Sequence, residues 1–143
     1  MEKLEFEQLD PLKLPLIQRF YKQYYPSTKP KRDEIIIIAR DTMAHNIVAV
    51  VRFRQVDTLC LLTGMAVMDK KRGRGIGSAL LNYCKKQKYL TPDVYCFSYC
   101  HLEHFYHRAG FHTISNDLLP PTLSQLYQRY TNSGKSLIAM QYL

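Results

Sequence analysis

The chain has 143 residues, of which 46% are hydrophobic and 22% charged, with a formal net charge of +8. That size makes one ordinary domain, residues 1–143, able to bury a core without metals or disulfide staples, and the balance excludes a disordered chain. The charge excess points to polyanionic partners, whether nucleic acid, an acidic surface or a phosphate-bearing small molecule, without choosing among them.

Residues 3–9 alternate Leu4, Phe6 and Leu9 with charged neighbours and read as a first strand. Asp10-Pro11 turns the chain. Pro15 suits a helix's first turn, and Ile17, Phe20, Tyr21 and Tyr24 give the i, i+3, i+4, i+7 stripe of one buried face, ended by Pro26. PSTKPKRDE is a loop of turn formers and charges. Three strands follow: 34–40, nearly all apolar; 47–56, with Ile47, Ala49, Val51 and Phe53 on one face and Arg52 and Arg54 on the other; and 59–67. Their short connections make an antiparallel meander.

From Gly75 the period turns helical through Ile76, Ala79, Leu80, Tyr83 and Cys84, with Lys85, Lys86 and Lys88 placed to complement the helix dipole. Residues 94–100 read as a strand. Leu102, Phe105, Tyr106 and Ala109 form a short helical stripe that Gly110 closes, and Phe111 to Ile114 read as a short strand. Pro120-Pro121 opens a helix through about Tyr130, and 136–142 is the last strand. The order β-α-β-β-β-α-β-α-β-α-β predicts an α/β fold, a mixed sheet with helices packed on it.

The longest apolar run, Ile35 to Ala39, has a strand's length, well below the about 18 residues that span a bilayer. No membrane partner is expected. The N-terminus, MEKLEFEQLD, lacks a signal peptide's apolar stretch, which leads us to expect a cytoplasmic chain. Cys60, Cys84 and Cys96 lie in apolar runs, as reduced buried thiols do. Cys96, Cys100, His101, His104 and His107 fit no standard zinc spacing, so no metal is expected.

Between the third strand of the meander and the next helix stands Val67-Met-Asp-Lys-Lys-Arg72-Gly-Arg-Gly-Ile-Gly-Ser-Ala-Leu-Leu81. Gly73, Gly75 and Gly77 make a tight turn at a helix N-terminus, where free backbone N–H groups and the dipole favour an anion. Lys70, Lys71, Arg72 and Arg74 add positive charge there. A dinucleotide fingerprint fails, because Ser78 or Leu80 stands at its third glycine and the preceding strands are antiparallel. A Walker A loop fails as well, with Arg129 where Gly134-Lys135-Ser136 would need an upstream glycine.

Arg72-x-x-Gly75-x-Gly77 resembles the Gln/Arg-x-x-Gly-x-Gly/Ala motif of the GNAT acyltransferase superfamily, with Val67 upstream and Ile76, Leu80 and Leu81 downstream in register. Phe105-Tyr106-His-Arg-Ala-Gly110-Phe111 is similar to the family's later Phe-Tyr-x-x-x-Gly-Phe segment, and the element order agrees over nearly the whole chain. The resemblance implies a mostly antiparallel central sheet, flanked by helices and splayed between the fourth and fifth strands, with acetyl-CoA in the gap. It further implies that backbone around Met65 and Val67 meets the pantetheine arm, and that the amides from Arg72 to Ser78 (Arg72, Gly73, Arg74, Gly75, Ile76, Gly77, Ser78) hold the pyrophosphate. Tyr106 falls where the family often has its general acid. A phenol near pKa 10 donating to a thiolate near 8.5 works uphill by about 2 kcal/mol, which is tolerable if protonation accompanies C–S cleavage.

Asp57, His101, Glu103 and His104 are candidates for a base by residue type alone. Tyr99 and Leu102 depart from the Asn and Ala that many relatives carry, and the helix from Pro120 to Gly134 is an insertion expected beside the acceptor. The expected partner is a small-molecule or peptide amine. Two alternatives stand beside the enzyme: a basic nucleic-acid-binding module, for which the charge is scattered and no signature appears, and a GNAT-like protein that binds acyl-CoA without catalysis. The sequence leaves the acceptor and the oligomeric state open, a homodimer included.

Overall fold

The computed structural model describes residues 3–143; Met1 and Glu2, which head the N-terminal stretch read above, lie outside the described residues. The elements run β1 (Leu4–Gln8), α1 (Leu14–Tyr24), β2 (Ile35–Asp41), β3 (Ile47–Val56), β4 (Leu59–Val67), α2 (Ile76–Lys86), β5 (Val94–Tyr99), α3 (Glu103–Arg108), β6 (Phe111–Thr113), α4 (Pro121–Asn132) and β7 (Leu137–Tyr142). This is the order that the periodicities predict. Boundaries differ by a residue or so: Gly75 caps α2 instead of opening it, and Cys100 begins a 3-10 turn instead of ending β5.

The strands form one sheet in the order β1-β2-β3-β4-β5-β7-β6. Every neighbouring pair is antiparallel except β4 and β5, which run parallel. Alternate residues of the central strands serve opposite faces. Ile36, Ile38 and Val50 pack with Ile17, Phe20 and Tyr21 of α1, while Ile37, Ala39, Ala49 and Val51 pack with Leu80, Leu81 and Cys84 of α2. Covering both faces explains the unbroken apolar runs of β2 and β3, which a half-solvated sheet would interrupt.

The α1 face is shared by a second helix. Val56 and Leu61 pack with Leu123 and Leu126 of α4, and Val56 lies on the same face of β3 as Val50. Arg52 and Arg54 stand on that face between them. Strand alternation places these two arginines in the gap between α1 and α4, and Arg52 is only 4% exposed there. Its Nε lies 3.0 Å from Glu34 Oε1 as a charge contact without an aligned hydrogen bond, and its Nη1 donates to Thr28 Oγ1 at 3.1 Å. The guanidinium carbon sits 4.9 Å from the centre of the Tyr21 ring.

β4 is kinked where it passes this cluster. Its register against β3 shifts between Val50–Ala66 and Arg52–Thr63, so Gly64 and Met65 together oppose Val51 in a bulge. Gly64 has φ +66°, and its carbonyl accepts from Tyr21 Oη at 2.6 Å. A Cβ on Gly64 would stand 2.6 Å from Arg52 Nη1 and 2.7 Å from Tyr21 Oη. Neither tip can swing aside cheaply, since both side chains are buried and held by their partners.

Two stability predictions follow from this packing. Gly64→Ala combines left-handed strain with displacement of a buried hydrogen bond and should destabilise by about 2–4 kcal/mol in urea unfolding. Tyr21→Phe, which removes the hydroxyl alone, should cost about 1–2 kcal/mol; equal losses would mean that the glycine is not required by its conformation. The second prediction concerns pH. Burial pushes the Cys84 thiol up to about 12 and the Cys96 thiol higher still. Unfolded thiols shed protons from about pH 9, while these two keep theirs, so the unfolded state binds fewer protons and stability falls as pH rises. Between pH 9 and pH 10 each thiol should remove about 1 kcal/mol of unfolding free energy, and Cys84→Ala should flatten that slope.

Candidate active site

The parallel β4–β5 pairing covers only Cys60–Val94, Leu61–Tyr95 and Leu62–Cys96. β4 continues to Val67 and β5 to Tyr99, so beyond Leu62 and Cys96 the strands separate. The gap opens into two cavities. The larger, about 700 Å³, lies toward the start of α2; the smaller, about 410 Å³, lies on the sheet face between α1 and α4. Tyr25, Met65, Tyr99, Leu102 and Tyr106 line both and mark where they meet.

The glycine-rich turn forms one wall of the larger cavity. Gly73 and Gly75 have φ of +78° and +77°, a conformation that residues with a Cβ rarely adopt. Gly77 is ordinary helical backbone with a different constraint: a Cβ there would meet Phe105 Cζ at 3.1 Å. The first two glycines are required by the turn, and the third by the close approach of α3. Gly75 offers no side chain to cap α2, and the helix ladder begins with Ala79 N donating to Gly75 O at 2.9 Å. The amides of Ile76, Gly77 and Ser78 precede that ladder and have no partner within the helix. All three residues line the cavity.

Met65, Val67, Arg72, Gly73, Gly75, Ile76, Gly77, Ser78 and Tyr106 all line the larger cavity. Arg74 does not line it. Arg72 braces the turn, its Nε donating to Val67 O at 3.2 Å and its Nη2 lying 3.1 Å from Asp69 Oδ1. Tyr106 is 6% exposed, its ring 5.0 Å from that of Phe105 and 5.8 Å from that of Phe111. Desolvation raises its phenol well above the usual value of 10 and keeps it protonated.

The four residues proposed as bases by type fare differently. Asp57 lies in the β3–β4 turn, accepting from Thr122 Oγ1 at 2.5 Å, away from either cavity. Glu103 is taken by Thr113 Oγ1 at 2.5 Å. His104 lines neither cavity, and His101 lines the larger one alone. Among the described residues no group of His, Cys, Asp and Glu is arranged to hold a metal ion, and no helix is long and apolar enough to cross a membrane.

Several cavity residues carry no signal that motif or periodicity could have raised. Glu34 and Arg52 meet across the sheet from the end of a loop and the middle of a strand. Tyr25 follows the last turn of α1, and burial, with the Tyr99 phenol beside it, pushes its own phenol up to about 12. Tyr130 and Lys135, at the end of α4 and beyond it, close the smaller cavity on the side where the inserted helix is expected.

A sequence profile of the acetyltransferase (GNAT) domain matches residues 32–113. No curated protein matches the chain. Among solved structures, N-acetylglutamate synthase from Neisseria gonorrhoeae, complexed with coenzyme A and N-acetyl-glutamate, superposes with a TM-score of 0.66 at 17% identity. That match covers 99% of this chain and 35% of the synthase, so this chain spans about a third of the synthase's length. A GNAT-family acetyltransferase from Staphylococcus aureus Mu50 gives 0.63 at 18% identity, covering 97% of this chain and 98% of that one. The ribosomal-protein-S18-alanine N-acetyltransferase from Escherichia coli gives 0.63 at 14% identity, covering 96% and 92%. These likenesses show the fold, and the profile, which spans more than half of the residues, shows the family: this chain belongs to the GNAT acetyltransferases.

Proposed function

We propose that residues 1–143 act as one domain that transfers an acetyl group from acetyl-CoA to the amine of an acceptor, by direct attack within a ternary complex. The observation that carries this reading is the interrupted β4–β5 pairing, with uncapped helix amides at one end of the gap and a buried phenol at its middle. The larger cavity suits the nucleotide: the amides of Ile76, Gly77 and Ser78 would hold the pyrophosphate, and a helix N-terminus among lysines and arginines favours that charge. The backbone of Met65 and Val67, past the point where β4 loses β5, would hold the pantetheine arm.

Bound acetyl-CoA supplies the activated acyl group, and the chain supplies the rest. The smaller cavity would orient the amine so that its lone pair meets the thioester carbon. As the C–S bond breaks, Tyr106 would donate its proton to the departing sulfur, and the proton that the nitrogen sheds on becoming an amide would pass through water to restore the phenol. Burial makes the phenol a reluctant acid, because full transfer leaves a desolvated phenolate. Tyr106 is therefore best used as a hydrogen-bond donor that gives up its proton only as negative charge builds on sulfur.

The turn is tested with a pair of variants. Gly75→Asn tolerates the left-handed backbone, whereas Gly75→Glu adds a negative charge at the same point. Calorimetry should find CoA affinity at least about tenfold weaker in Gly75→Glu than in Gly75→Asn, a difference of about 1.4 kcal/mol. Equal affinities would remove this turn as the phosphate site.

Tyr106→Phe keeps the ring and its aromatic contacts. We expect kcat to fall by about 10²-fold, the lower end of general-acid contributions, with CoA affinity unchanged. In the wild type, kcat/KM should rise with pH as the acceptor amine deprotonates, and should show no loss of the acid up to pH 9.5. A raised phenol pKa means that Tyr106 still holds its proton there. Near wild-type turnover in Tyr106→Phe would make this tyrosine a packing residue.

A further inference from the structure

The smaller cavity is lined by an excess of positive charge. Arg52, Arg54, Lys29, Lys31 and Lys135 line it, and among the described residues Glu34 is the only carboxylate that does. Glu34 is already neutralised. It lies 3.0 Å from Arg52 Nε and accepts from the Lys31 amide at 2.6 Å. Among the described residues, no carboxylate forms an ion pair with Lys29, Lys31, Arg54 or Lys135.

Two of these cations meet on one ring. Arg54 Nη1 reaches Tyr130 Oη at 3.5 Å, and Lys135 Nζ stands 5.3 Å from the centre of the same ring. Gathering uncompensated like charges beside a cavity is unfavourable unless an anion joins them. The charge of Arg52 is balanced by Glu34, but its hydrogen bonding is incomplete. Arg52 is 4% exposed, yet its Nε has no aligned hydrogen-bond acceptor. A cavity intended for a polyamine or a lysine side chain would show the reverse, with free carboxylates and few cations.

We infer that the acceptor is a small amine that also bears a carboxylate or phosphate, and that Arg54 and Lys135 hold this anionic group at the α4 end of the smaller cavity. The inference rests on the acyltransferase reading above, and it names that reading's acceptor class. Size agrees, since about 410 Å³ accommodates a metabolite-sized molecule. The layout also implies an extended acceptor. Arg54 pairs across to Leu61, and Met65, at the junction of the cavities, is three ladder positions or about 10 Å further along β4, because the bulge places Gly64 and Met65 opposite one residue. Part of that span is taken up by the arginine side chain, and the remainder separates anion from amine.

The test uses matched amines with acetyl-CoA, following CoA release: 4-aminobutyrate against butylamine and 1,4-diaminobutane, and 3-aminopropylphosphonate against propylamine. The anion-bearing member of each set should have a kcat/KM at least about tenfold higher, chiefly through KM, as charge-assisted contacts imply. Glycine, with its amine close to its carboxylate, should be poorer than 4-aminobutyrate. Comparing the carboxylate with the phosphonate arm tells which anion the site prefers.

In Arg54→Gln combined with Lys135→Gln the advantage of the anionic amines should disappear. The rate with butylamine should stay within about twofold and CoA affinity should be unchanged, as expected for loss of binding contacts alone. Equal or better use of 1,4-diaminobutane, or a preference for anions that survives the double substitution, overturns the inference.

Calorimetry separates the two levels of the argument. If CoA does not bind, the acyltransferase reading fails by itself, and binding of 4-aminobutyrate or 3-aminopropylphosphonate to the wild type still decides the anion site. Absence of binding by both, or equal binding to wild type and double variant, rejects the site whatever the chemistry.

Discussion

The arrangement of this molecule depends on a parallel strand pair that stops early. β4 and β5 bond for three positions and then diverge, although both remain strands beyond that point. Backbone polar groups at the opening are left without strand partners, and groups of that kind seek water or a ligand. The bulge at Gly64 turns β4 at the same place, and Tyr21 fixes it by donating to the Gly64 carbonyl. One helix of the core thereby sets the shape of the cleft: α1 buries Ile17 and Phe20 to hold the sheet and uses Tyr21 to hold it open.

The charge excess is better understood as two local fields than as a general property. One is the Lys70–Arg74 run beside the uncapped start of α2; the other is the arginine pair of β3 with Lys135 on the opposite sheet face. They lie at the two ends of the cleft, with Met65 and Tyr106 between them. The proposed reaction joins two molecules at that midpoint, and a cationic group at each end would hold each by its anionic part while keeping the reacting atoms in an uncharged stretch. The net charge of +8 cannot distinguish this arrangement from a nucleic-acid surface, since the total is the same in both.

Much of the fold was legible because its determinants are local. The switch from period two to helical spacing after Gly75 gave α2, and the block from Phe105 to Phe111 gave α3 and β6 with a glycine at +111° between them. The turn itself could be read because Gly73, Gly75 and Gly77 stand between a strand pattern and a helical one, and two of them take positive φ. Glu34 and Arg52 were not legible: alternation shows that Arg52 leaves the apolar face of β3, but it does not show that α1 and α4 cover the other face as well. Residue type alone could not sort the candidate bases, for the same reason: of the four, His101 alone lines a cavity. Asp57 and Glu103 have suitable chemistry, but direction and partners are tertiary facts, and each is bonded to a threonine.

The two sides of the cleft differ in what they can do with a proton. The junction is rich in phenols: Tyr106 buried, and Tyr25 beside Tyr99 with its phenol pushed up to about 12 by burial. Such groups can donate to developing negative charge but accept a proton poorly, because each would first have to be ionised in a poorly solvated place. On the acceptor side Glu34, the sole lining carboxylate among the described residues, is committed to Arg52. In the proposed reaction the described residues would therefore serve the departing sulfur and offer little to the arriving amine. An aliphatic amine with pKa near 10 is neutral in only about one molecule in a thousand at pH 7. With no strong base beside it, the proposed site would have to select that neutral form from solution, and holding the acceptor by a distant anion allows this, because the grip does not depend on the amine's charge. On this reading the cationic acceptor cavity and the absence of a dedicated base are consequences of a single design, in which position is fixed at the far end of the substrate and the nucleophile arrives already deprotonated.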